Sequence, residues 1–281
     1  RGLAALVRQP GRLTPRSALV PIQAEGSQPP VFFVHPVGGT LFAYVELARR
    51  LGPDQPFYGF QVPETGAEEL TTIEALASRY VEELLVNWPD GPYRLGGWSM
   101  GGLVAFEMAH QLIERGKSVE KLVLLDTDAP AAAAEPEDER TLLADFARDL
   151  AGTSGADLSS VSFQLSGDGD EAELGRLYEQ AQEAAILPPE IGFEEAVRLY
   201  ETYRRNRRAM RLYRGRVLPL PMTVIAAEGR GPALAADPTL GWSNFATIIK
   251  ARKVPGEHYS ILRVPEVERL ADQLRDCLGF V

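Results

Sequence analysis

The pentapeptide Gly97-Trp98-Ser99-Met100-Gly101 joins two segments of opposite character, and that junction limits the fold more than any other stretch of the chain. Before it, Tyr93–Trp98 is a short apolar run with the length of a buried strand; after it, GGLVAFEMAHQLIERG carries apolar residues at helical spacing. A strand that passes straight into a helix through G-x-S-x-G must turn sharply, and only glycine leaves room on either flank of such a turn. The turn lifts Ser99 above the end of the strand and sets its hydroxyl at the start of a helix, where the dipole favours developing negative charge.

The rest of the chain repeats this strand-then-helix grammar. Ser17–Gln23 (SALVPIQ), Pro30–Val34 (PVFFV), Phe57–Val62, Lys121–Asp126, Met222–Ala227 and Ile248–Val254 read as further strands, and Phe42–Leu51, Thr72–Trp88 and Val264–Phe280 as helices. The expected fold is α/β, a mostly parallel central sheet with helices on both faces. The alternation breaks after Asp126. Arg140–Ala151, Glu171–Leu187 and Phe193–Tyr213 are helical patterns joined by a Gly/Ser/Asp-rich loop and by Pro188-Pro189, with no strand among them. Three amphipathic helices need an apolar surface, so a helical lid inserted over the sheet's active edge is expected, with a separate helical domain as the alternative.

Length permits one α/β domain with a well-buried core, from residue 17 to 281, preceded by a mixed, Pro-containing leader at 1–16. A formal charge of −10 argues against nucleic acid or an anionic membrane surface as partner, and no apolar run is long enough to span a bilayer. Arg1–Pro15 lacks the apolar segment of a signal peptide, which makes the cytoplasm the expected compartment. A single cysteine, Cys277, excludes an internal disulfide and reads as helix packing. No Cys/His/Asp cluster has metal-ligand spacing and no Gly-rich loop resembles a phosphate cradle, so neither metal nor nucleotide is expected.

A serine hydroxyl becomes a nucleophile only when a base takes its proton, and the chain holds three histidines. His110 lies mid-helix, three turns beyond Ser99, and points away from the turn. His35 follows the strand PVFFV and cannot be dismissed on position. His258, in the loop Pro255–Tyr259 between the last strand and the last helix, is the best candidate, because it completes the hydrolase chain order of serine, acid, histidine. The acid is a real choice: Asp126 ends the strand after the nucleophile's helix, Glu228 ends the later strand MTVIAAE, and Asp128 stands two residues beyond Asp126. Strand logic divides nearly evenly between Asp126 and Glu228. A tetrahedral intermediate also needs two N–H donors, one from Met100 and the other from the loop His35–Gly39, with Val37 first.

The combination PVFFVHPVGG, FYGFQVPETG, GPYRLGGWSMGGLVAFEMA, KLVLLDTDAP and VPGEHYSIL resembles the type I thioesterase domains that end nonribosomal peptide and polyketide synthases, members of the α/β-hydrolase superfamily. The resemblance runs from about Ser17 to the end. It implies Asp126 as the acid, Val37 and Met100 as oxyanion donors, and a lid over about residues 129–216. The implied reaction is transfer of an acyl or peptidyl chain from a carrier-protein phosphopantetheine thiol to Ser99, then release by water or by an internal hydroxyl or amine. The domain itself would bind no cofactor. Its partner would be an upstream carrier domain, with the leader as the linker. A stand-alone type II editing thioesterase, a free serine esterase and a non-catalytic binding module on the same fold are the other readings.

Overall fold

The computed structural model describes residues 17–63, 65–131, 137–156 and 171–279. The expected leader at 1–16 and the Gly/Ser/Asp-rich stretch 157–170 lie outside them. Seven strands form one sheet: β1 (Leu19–Gln23), β2 (Val31–Val34), β3 (Phe57–Phe60), β4 (Tyr93–Trp98), β5 (Val119–Leu125), β6 (Met222–Ala227) and β7 (Ile249–Val254), in the order β1-β3-β2-β4-β5-β6-β7. Only β1 runs antiparallel, against β3; every other neighbouring pair is parallel.

The inner strands β2, β4 and β6 are buried on both faces, and the alternation along the sheet separates two apolar layers. Phe32, Val34, Leu122 and Leu124 face the layer that contains α2 (Ile73–Asn87) and α3 (Met100–Glu114). Val31, Phe33, Val123 and Leu125 face the layer that contains α1 (Val45–Leu51) and α8 (Glu266–Leu278). Each fully buried side chain of this kind contributes roughly 1.5–3 kcal/mol relative to exposure. Helix α2 shows the local logic: Thr72 accepts from the Ala75 N–H as N-cap, and Ile73, Leu76, Ala77, Tyr80, Val81 and Leu84 are its buried stripe.

Between β5 and β6 lie α4 (Glu139–Ser154), α5 (Glu171–Glu183) and α6 (Phe193–Leu212). Leu142, Leu143, Phe146, Tyr200 and Tyr203 belong to the same buried cluster as α2 and α3, so these helices share a core with the sheet. Ala151, Ala181, Ile186, Leu187 and Ala196 tie the three together. A short helix α7 (Pro232–Ala236) follows β6; its five residues are too few for a periodic signal in the sequence.

Element ends differ from the sequence expectation where side chains intervene. Helix α1 is preceded by a 3-10 turn over Phe42–Tyr44, because Tyr44 turns into the sheet, donates its hydroxyl to the Val34 carbonyl (2.6 Å) and accepts from the Trp98 N–H (2.8 Å). Helix α5 stops at Glu183 rather than Leu187, where Ala185 takes a positive φ of 54° and Ile186 N–H closes onto Ala181.

Close packing at the β4–α3 turn makes a direct prediction. A Cβ on Gly101 would overlap the Val34 carbonyl oxygen, whereas one on Gly175, inside α5, would meet nothing nearer than 3.9 Å. Gly101→Ala should therefore lower stability by about 2–3 kcal/mol in urea unfolding. Gly175→Ala should be neutral or stabilising by up to about 1 kcal/mol. Equal midpoints for the two variants would contradict this account of the turn.

Candidate active site

Apart from His110, the candidate residues sit at or just beyond strand ends, and a parallel sheet puts those ends on one edge. Ser99 follows β4, Asp126 follows β5, Glu228 follows β6, His258 follows β7, and the loop His35–Gly39 follows β2. Ser99 holds φ 56° and ψ −126°, a conformation unfavourable for any residue but glycine. Its neighbours enforce it: Ser99 N–H donates to the Leu125 carbonyl (3.0 Å), and its own carbonyl accepts from Gly102 N–H (3.1 Å) and the Thr127 hydroxyl (3.0 Å). Ser99 and His258 line one cavity of about 450 Å³ together with Val37, Arg230 and residues of α4 and α6.

His258 Nδ1 donates to Asp126 Oδ2 at 2.6 Å. Asp126 is held from every side. Its backbone takes a φ of 44°, a left-handed conformation that aspartate tolerates better than most residues, and its N–H donates to the Ile225 carbonyl at 2.8 Å. Its Oδ1 accepts from Ala227 N–H (2.8 Å) and from Arg230 Nε (2.7 Å). Burial works against the charge of Asp126, but the hydrogen bonds from His258, Arg230 and Ala227 outweigh it and hold the carboxyl below the ordinary carboxylate range. The imidazole is also packed against Trp98 and Tyr259, with ring centroids 4.8 and 5.1 Å away. Among the described residues, neither rival carboxylate is bonded to His258. Glu228 is exposed at the start of a 3-10 turn, and Asp128, also exposed, pairs with Arg230 at 2.7 Å.

The other two histidines are accounted for by packing. His110 is buried on α3 and its Nε2 donates to the Arg216 carbonyl (2.9 Å). His35 is fully buried, with Nδ1 donating to the Pro36 carbonyl (2.6 Å) and Nε2 at 2.8 Å from the Tyr80 hydroxyl. Burial pushes its pKa down to about 4, so the ring is neutral and Nε2 accepts. His35 thus shapes the loop that carries Val37. From the opposite side, Asn206 of α6 donates to the Val37 carbonyl at 2.8 Å. The N–H groups of Val37 and Met100 are engaged by no other described residue. Among the described residues, no group of three or more His, Cys, Asp or Glu is placed to hold a metal.

Four side chains here were not singled out by the sequence reading: Tyr44, Arg230, Asn206 and Asp149. Asp149, on α4, is buried beside the cavity, and its Oδ1 accepts from the Tyr259 hydroxyl at 3.2 Å. Burial pushes its carboxyl up to about 6. A carboxyl raised in the folded state binds a proton there that the unfolded chain has already lost, so stability falls as pH rises from about 4 to about 6. Asp149→Asn should therefore match the wild type in urea unfolding at pH 4 and exceed it at pH 8 by an amount on the order of 2–3 kcal/mol. A variant less stable at pH 8 than at pH 4, relative to wild type, would refute the assignment of a buried charge.

Comparison with known proteins places the chain. A family model described as the thioesterase domain matches residues 29–278. The dimodular nonribosomal peptide synthase of Bacillus subtilis (strain 168) is 38% identical over 149 residues, which is 51% of this chain and 6% of that protein. A four-domain nonribosomal peptide synthetase, holo-AB3403, superposes with a TM-score of 0.83 at 27% identity, over 94% of this chain and 20% of that one. The NocB thioesterase domain from the nocardicin cluster superposes with a TM-score of 0.66 at 25% identity, over 93% of this chain and 99% of that one. The match spans only 6% of the length of the Bacillus relative. With the strand-end geometry described above, these matches assign the chain to the thioesterase domain family, on an α/β-hydrolase fold.

Proposed function

We propose that this domain releases an acyl or peptidyl chain from the phosphopantetheine thioester of a carrier protein through an acyl-enzyme on Ser99. The observation that carries the reading is the 2.6 Å hydrogen bond between His258 and Asp126, at the wall of the cavity that also holds Ser99. With Nδ1–H given to Asp126, His258 presents Nε2 as the base. Ser99 Oγ attacks the thioester carbonyl and its proton passes to Nε2. The oxyanion that forms is received by the N–H groups of Val37 and Met100, the latter at the first residue of a 15-residue helix. Collapse expels the pantetheine thiolate, which takes the proton back from His258. Water, or a hydroxyl or amine within the acyl chain, then attacks the ester by the same path in reverse.

Helices α4 and α6 act as a lid in this reading, since Asp145, Arg148, Asp149, Tyr203, Arg207 and Met210 form much of the cavity wall. The domain needs no cofactor of its own, because the reactive thioester arrives on the carrier's pantetheine. An upstream carrier domain is the partner.

Two experiments test the assignment. A fluorophosphonate should label the wild-type protein at Ser99 and leave Ser99→Ala unmodified by mass spectrometry; an adduct on another residue would overturn it. Steady-state hydrolysis of a synthetic acyl thioester should then rank the carboxylates. Asp126→Asn should lose on the order of 10⁴ in kcat, by analogy with serine proteases, because the imidazole loses its tautomer partner. Glu228→Gln and Asp128→Asn should lose less than about tenfold, roughly 1.4 kcal/mol of barrier. A folded Asp126→Asn that keeps most of its activity while Glu228→Gln loses it would move the acid to the end of β6.

A further inference from the structure

The cations on the cavity wall already have carboxylate partners. Arg148 pairs with Asp145, Arg207 with Glu137 and Asp145, and Arg230 with Asp126 and Asp128. Among the wall's carboxylates, Asp128 and Glu257 are exposed and can be hydrated. Asp149 is different. Only 7% of it is exposed, and among the described residues no cation is bonded to it and the single hydrogen bond to its side chain comes from the neutral Tyr259 hydroxyl. The positive charges that act on it from a distance are His258, which is bonded to Asp126, and Arg207, which is shared between Glu137 and Asp145.

The position of Asp149 makes its isolation matter. Its Oδ2 lies 3.5 Å from the point a Cβ on Gly38 would occupy, so this oxygen stands against the loop residue that follows Val37. Helix α4 keeps it there: Gly152, one turn on, has its backbone directly against the Tyr259 ring, which in turn packs on His258. An unpaired carboxylate beside a loop whose N–H receives an oxyanion repels the charge that the reaction creates. A cation brought in by the substrate removes that repulsion and supplies the missing partner in one contact.

We propose that Asp149 is a specificity-determining residue that accepts a protonated amine of the acyl group, so that this domain favours acyl thioesters with a basic nitrogen close to the reacting carbonyl. The proposal rests on the acyl-transfer reading above and names the substrate class for it. The amine can be the α-amino group of the acyl residue or one on its side chain; both present the same ammonium to Oδ2.

The test compares kcat/KM for three N-acetylcysteamine thioesters: one with a free α-amine, its N-acetylated form, and an N-acetylated residue with a side-chain amine. Wild-type protein should prefer at least one amine-bearing thioester over the amine-free form by about tenfold or more, and the preferred one identifies where the amine sits. Asp149→Asn should lose that preference, slowing the amine-bearing thioester and leaving the amine-free one equal or faster, while Asp149→Glu retains part of it. A purely structural role would slow all three alike. Fluorophosphonate labelling of Ser99, which needs no amine, should proceed in every variant and shows that each has kept its site. Turnover without an amine preference in the wild type overturns the Asp149 assignment alone, and this arm needs no variant. An Asp149→Asn protein that keeps the preference overturns it too. Absence of turnover for all three thioesters overturns the acyl-transfer reading, and the Asp149 proposal with it.

Discussion

The pairing of β4 with β5 sets Trp98 opposite Leu125, and the site is built outward from that step. The next residue of each strand is Ser99 on one side and Asp126 on the other. Their strands stay about 4.8 Å apart by sheet geometry, and the Ser99 N–H is hydrogen-bonded to the Leu125 carbonyl. Both residues leave the sheet at positive φ, 56° and 44°, so the two chains diverge sharply after the last shared pair. That strain is maintained by crowding and hydrogen bonds around it. Tyr44 bridges the ends of β2 and β4, Gly101 backs against the Val34 carbonyl, and Ala227 N–H fixes the Asp126 carboxylate from β6.

A second consequence of the parallel sheet is that the loops from β2 and β7 arrive at the same edge from opposite sides. The His258 loop comes from the outermost strand and reaches back across β6 to Asp126, 132 positions earlier in the chain. The His35–Gly39 loop is held below by a neutral, buried histidine and above by Asn206. The inserted helices are therefore tied to the edge at defined points. Asn206 grips the Val37 carbonyl, Gly152 admits the Tyr259 ring, and Asp149 bonds Tyr259 and stands on the side of Gly38 where a Cβ would point.

The electrostatics of this edge are those of a site that tolerates unfavourable charge. Asp126 keeps its charge despite burial because it has three hydrogen-bond donors. Asp149 has one neutral donor, and burial raises its carboxyl to about 6. Two carboxylates on the same edge thus ionise over different pH ranges because of their partners. A buried carboxylate that lowers stability at neutral pH has a reason to persist only where a ligand completes it, and this is the physical content of the substrate class proposed for the domain.

The amino-acid sequence alone carried the strand-helix alternation, the inserted helices, the elbow at Ser99 and the choice of His258 over His110. These are local signals: glycine at a turn without room, periodicity over one element, and order along the chain. Strand logic left Asp126 and Glu228 level, and the resemblance of the motifs favoured Asp126. What put the Asp126 carboxylate against His258 and left Glu228 exposed was tertiary. The left-handed turn after β5 and the N–H at the end of β6 orient one carboxylate inward, and neither has a signature in KLVLLD or MTVIAAE. Tyr44, Arg230, Asn206 and Asp149 were invisible for the same reason. Their roles come from partners far along the chain, as with Asn206 and Val37 at a separation of 169 positions, and only the folded sheet with its inserted helices brings such partners within hydrogen-bond reach.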